Sequence, residues 1–131
     1  MEYLLDTNAL INIAYGKKDL NPELIIVLNN KNSRLFASDI SLWEIEIKHN
    51  KYPELMPFSA TQLYELLVDT DVSFLPMHLS HIARLKEIYE LKIHKDPFDT
   101  LLIAMALEES MVLVTSDEKI LKYPIVSTLQ I

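Results

Sequence analysis

No cysteine occurs in the 131-residue chain, so neither a disulfide nor a thiolate metal site can be built from it. Glycine is almost as scarce, with Gly16 standing alone. One glycine excludes the Gly-rich loops that cradle phosphates, the P-loop and the dinucleotide fingerprint alike, because those loops need several residues without a Cβ. No run approaches the roughly 18 apolar residues needed to cross a membrane. The first residues carry no basic stretch, and Glu2 and Asp6 interrupt their apolar run, so no export signal is read there. With no cysteine and no export signal, the expected compartment is the cytoplasm. Positive charge is also short: 12 Lys and Arg stand against 19 Asp and Glu, a net charge of −7. That balance argues against passive nucleic-acid binding through a broad basic surface. It leaves open an enzyme that meets phosphate through bound cations.

What is present describes a globular protein. Half of the residues are hydrophobic and 24% are charged. A chain of this length forms one domain, residues 1–131, and buries roughly two-thirds of its unfolded surface. Short apolar runs alternate with helical patterns. Residues 3–6 read as a strand leading into a helix near 8–15. "NPELIIVLNN" is a second helix with Asn21 as cap and Pro22 at its first position. "RLFAS" at 34–38 is a strand, after which Asp39 opens the helix "ISLWEIEIKHN". Ser59 and Ser80 are placed to cap helices at 60–70 and 81–91, with the strand "VSFLP" between them. "PFDTLLIAMALEE" is an apolar helix at 97–109, "MVLVT" a buried strand, "DEKILKY" a short helix and "IVS" a last strand. Apolar strands separated by helices imply an α/β/α sandwich around a central, mostly parallel sheet.

Four carboxylates fit this scheme poorly as structure alone. Asp6 ends the first strand and Asp117 follows the strand "MVLVT". Each can cap a helix, and Thr115 with Glu118 fits a capping box. If their strands are neighbours where the strand order reverses, the two acids meet at the carboxyl edge of the sheet. Glu44 falls inside the stripe Ile40, Trp43, Ile47 that should face the core, where an ionised Glu needs a partner. An i,i+4 pair with Lys48 is the structural alternative. Asp96 is placed to cap the helix that starts at Pro97, whereas Asp99 heads the buried stripe Leu102, Ile103, Ala106; either carboxylate can reach a metal, and Asp99 is the preferred one. Asp6, Glu44, Asp99 and Asp117 form an all-oxygen set, which favours Mg²⁺ or Mn²⁺ over zinc. The chemistry most often built on such a set is phosphodiester hydrolysis. Lys48, Lys51, Lys92 and Lys95 are candidates for a rim that meets substrate phosphates, with a solvated charged rim as the alternative, and His49 and His94 lie beside Glu44 and Asp99 in the sequence.

The segments "LLDTNALIN", "SLWEIEIK", "HKDPFDTLLIAMAL" and "LVTSDEKI" together resemble the PIN-domain nucleases, and within them the VapC-type toxins of toxin–antitoxin pairs. The resemblance runs over the whole chain in the right order. It implies that Asp6, Glu44, Asp99 and Asp117 are the catalytic metal ligands, with Thr7, Asn8 and Thr115 in support and Asp96 beside them. It further implies an Mg²⁺- or Mn²⁺-dependent endoribonuclease acting on RNA, a homodimer and a cognate antitoxin partner. The chain departs from the pattern at Thr100, where relatives usually carry Arg, and in "KHNKY", where a glycine is common. A haloacid-dehalogenase-like phosphotransferase would need a second acid where Asn8 stands, and a receiver domain would need paired acids at the first strand. The remaining alternatives are a PIN-fold binding module without catalysis and a DNA-directed PIN nuclease.

Overall fold

The computed structural model describes residues 1–16, 20–93 and 96–131. Five strands form one sheet: β1 (Glu2–Leu5), β2 (Arg34–Ser38), β3 (Val72–Leu75), β4 (Val112–Thr115) and β5 (Thr128–Gln130). All neighbouring pairs are parallel and the order is β3-β2-β1-β4-β5. Strand order therefore reverses between β1 and β4, paired in the register Leu4 with Leu113 and Leu5 with Val114.

The pleat sends successive side chains to opposite faces, and each face is covered by helices. On one side Leu5, Ala37 and Val114 pack with residues of α1 (Thr7–Ala14), α2 (Pro22–Asn29) and α4 (Ala60–Leu67). On the other, Leu4 and Leu113 pack with α6 (Leu85–Glu90), α7 (Pro97–Glu108) and α8 (Glu118–Leu121). The helix α3 (Asp39–Lys51) contributes Ile40 to one core and Ile45 to the other. The architecture is the expected α/β/α sandwich. Among the described residues no helix is long and apolar enough to cross a membrane.

Local chemistry accounts for most helix starts. Asn21 accepts from the Glu23 N–H, and Ser59 forms a reciprocal capping box with Gln62. Asp96 accepts from the N–H groups of Phe98 and Asp99 ahead of Pro97. Helix α7 is buried on nearly every side from Thr100 to Ala106, which explains why its sequence carries no polar face.

Three local expectations need correction. The cap of α3 is Ser38, whose Oγ accepts from the Ile40 N–H; Asp39 instead accepts from the Met77 N–H at 3.2 Å and ties α3 to the loop after β3. Ser80 caps nothing, because α5 (Leu79–Ala83) begins before it. There the buried His81 accepts the His78 N–H through Nδ1 at 2.9 Å, which leaves Nε2–H to donate to Glu109. Nor does "IVS" form the last strand. The chain turns through it, burying Val126, and pairing with β4 begins only at Thr128.

Candidate active site

Asp6 lies directly beyond β1. Its N–H continues the ladder to the Val114 carbonyl at 3.0 Å, so the position of its Cα is set by the sheet. Oδ1 accepts the Ala9 N–H at 2.8 Å and caps α1, while Oδ2 accepts from Thr115 Oγ1 at 2.5 Å. The residue is 4% exposed. Burial pushes its carboxyl pKa up; the bonds from Thr115 and Ala9 pull it down, and the charges of Asp117 and Glu44 push it up again, with a net rise.

Thr115 ends β4 and joins two acid positions. Its hydroxyl donates to Asp6 and accepts the Asp117 N–H at 3.0 Å. Asp117, half-buried, caps α8 by accepting the Lys119 N–H at 2.8 Å. The capping box expected between Thr115 and Glu118 does not form, because Asp117 is the cap of α8 and the Thr115 hydroxyl accepts the Asp117 N–H instead.

Glu44 approaches from α3. Oε1 accepts from Thr7 Oγ1 at 2.8 Å, and Oε2 meets Lys48 Nζ at 2.9 Å. Glu44 thus has the helical partner expected of it, and its charge acts on Asp6. Thr7 Oγ1 also lies 3.0 Å from the buried Ser41 Oγ, so α1 and α3 are tied together beside Asp6. Ser41 was not singled out from sequence. The available signal was a small polar residue three positions before Glu44, on the same helix face.

Helix α7 runs back towards the start of β4, so its amino-terminal end lies at the carboxyl edge of the sheet. Asp99 sits in that first turn, half-buried, and its own N–H is held by the Asp96 side chain. Asp96 is thus the cap it was expected to be. Thr100, at the position where the family pattern has Arg, is buried and donates to the Asp96 and Pro97 carbonyls. Asn8 is exposed in the first turn of α1.

The residues named for a rim take different places among the described residues. Lys48 is at the site, but His49 Nδ1 donates to the Met56 carbonyl at 2.7 Å and holds α3 to the following loop, a structural role. Lys51 is exposed at the end of α3, and Lys92 lies in the left-handed region (φ 53°) beyond α6. His94 and Lys95 lie outside the described residues.

The structure thus places Glu44 and Asp117 each within electrostatic reach of Asp6 at the β1–β4 switch point, with Asp99 on the same edge. Among the described residues no three acids or histidines are gathered closely enough to make a ready cation cage. In donor type and charge the set nevertheless fits a hard divalent cation: all donors are oxygens, and like-charge repulsion on Asp6 is what a cation would relieve.

A parallel α/β/α sandwich with carboxylates at its switch point defines a class of acidic-site folds. Within that class, the PIN domain profile matches residues 3–126, and the chain belongs to the PIN-domain family. Curated protein sequences yield no match. Solved structures share the fold at low identity. VapBC2 from Rickettsia felis, bound to a DNA fragment from its promoter, aligns with TM-score 0.75 at 18% identity, covering 99% of this chain and 98% of that one. DNA-bound VapBC from Salmonella typhimurium gives 0.74 at 19%, again covering 99% and 98%. VapBC-1 from nontypeable Haemophilus influenzae gives 0.71 at 19%, with 99% and 98% covered.

Proposed function

We propose that residues 1–131 act as one nuclease domain, a metal-dependent endoribonuclease of the VapC type that hydrolyses RNA phosphodiester bonds in the cytoplasm. The carrying observation is the convergence of Asp6, Glu44 and Asp117 from three separate segments, with burial and like charge acting together on Asp6. Structure alone does not require three carboxylates at one strand end, and the Lys48 ammonium offsets the charge of just one of them, Glu44. In this reading Asp6, Glu44, Asp99 and Asp117 hold Mg²⁺ or Mn²⁺. Bound there, such an ion would lower the pKa of an attacking water and stabilise charge on the phosphate.

The chain's own residues supply position. Thr115 orients one oxygen of Asp6 and the Ala9 N–H the other, so the carboxylate plane is fixed before substrate arrives. Thr7 fixes Glu44 in the same way. Lys48, bonded to Glu44 but half-exposed, is the cation placed to meet a substrate phosphate. Partnership with an antitoxin is supported by the fold shared with VapBC proteins and with a toxin–antitoxin complex from Klebsiella pneumoniae, and a homodimer belongs to the same reading.

The test is cleavage of a mixed RNA pool by purified protein with Mn²⁺, Mg²⁺ or chelator. Wild type should cut only with metal, and Asp6→Asn should lose at least about a hundredfold in rate. Cleavage that persists in chelator would sink the metal-dependent reading. Cleavage of single-stranded DNA in place of RNA would make this a DNA-directed nuclease.

A further inference from the structure

Trp43 is the single tryptophan of the chain and it is 60% exposed, although a ring of that size is usually well covered. It precedes Glu44 on α3. Its ring meets Phe98 edge-on, with centroids 5.2 Å apart and planes at 65°, and Phe98 precedes Asp99 on α7. The aromatic pair therefore joins the two helices at the level of the two acids they supply. Phe98 packs against the core behind it, so the contact steadies the indole while leaving much of its surface in solvent. Beyond Glu44, the Lys48 ammonium supplies positive charge on the same helix.

We propose that Trp43 is a stacking platform for an unpaired base of the substrate RNA, seating the strand with a phosphate beside Glu44 and Asp99. The proposal rests on the nuclease reading above and extends it to a substrate-positioning residue. The physical need is clear. A chain of net charge −7 cannot gather RNA by a broad basic field, whereas stacking on a π-face works with any base and requires no charge.

The lone tryptophan makes the test direct. Short single-stranded RNA of about eight nucleotides is titrated into wild type in Ca²⁺ while Trp43 emission is followed. Labelled RNA then measures binding by wild type, Trp43→Phe and Trp43→Ala, and cleavage in Mn²⁺ gives kcat and KM for each. Quenching of Trp43 is expected, with binding weakened and KM raised about tenfold in Trp43→Ala, kcat little changed, and most of the loss recovered in Trp43→Phe. Equal thermal midpoints of the variants would separate this from misfolding. Unquenched emission with KM unchanged in Trp43→Ala, while wild type still cleaves, overturns the platform and leaves the nuclease standing. So does emission that tracks protein concentration alone, which would place a second copy of the chain on Trp43. Wild type that neither binds nor cleaves RNA overturns both readings.

Discussion

Asp6 does two jobs with two oxygens, and they pull in opposite directions. As a helix cap it needs only a hydrogen-bond acceptor, which Asn supplies as well as Asp. As a buried anion next to Asp117 and Glu44 it costs stability, and its pKa is raised above the ordinary 3.8. The sign follows from linkage: the folded chain holds this proton more tightly than the unfolded one. Asp6 therefore contributes stability that is full below its unfolded pKa and is lost as pH rises through its folded pKa. In metal-free protein, urea unfolding midpoints measured from pH 4 upward should carry this decline, and it should vanish in Asp6→Asn. The same variant should be more stable than wild type near pH 7 by on the order of 1 kcal/mol while being inactive, the usual trade of stability for function. A lower midpoint for Asp6→Asn would show that the carboxylate is held there for structure.

At the scale of elements, α7 separates two neighbouring acids. Asp96 spends its side chain on the N–H groups of Phe98 and Asp99, a role that Asn can fill. Asp96→Asn should then keep both stability and cleavage, whereas Asp96→Ala should cost about 1 kcal/mol in unfolding free energy. Asp99→Asn should fold normally and lose cleavage; cleavage lost in Asp96→Asn instead would assign the metal to Asp96. Helix α3 bears load differently, because Ile45 is fully buried against α1 and α4 residues while Glu44 is tied to Thr7. Ile45→Ala should cost about 2–5 kcal/mol in chemical denaturation.

At the scale of the whole molecule, ligand binding and assembly become measurable as changes in the folded population. Mn²⁺ at about a hundred times its dissociation constant should stabilise the protein by about 2.7 kcal/mol. The stabilisation should be larger at pH 7 than at pH 5, because the ion competes with the proton that burial favours on Asp6. Calorimetric scans with and without Mn²⁺ at the two pH values measure both effects. Light scattering on the purified chain should give about twice the 15.2 kDa chain mass. A monomer that cleaves RNA would remove the dimer from the reading without touching the site.

The sequence by itself determined what depends on near neighbours. The span 34–38 is bounded as a strand by polar residues on either side, and Asn21-Pro22 and Asp96-Pro97 announce helix starts because capping is settled within a few residues. The acids at the ends of β1 and β4 stand out for the same reason: each interrupts an apolar run that adjacent residues define. Only the tertiary structure decided which acids meet and through what. Thr7 joins Glu44 across 37 positions and Thr115 joins Asp6 across 109. Both bonds exist because β1 lies between β2 and β4, bringing the starts of α1 and α3 beside the end of β4. The start of β5 was likewise set by its register with β4 and by the burial of Val126, against the apolar appearance of "IVS". Pairing across a sheet is chosen by the packing of the whole, and no window of neighbouring residues contains it.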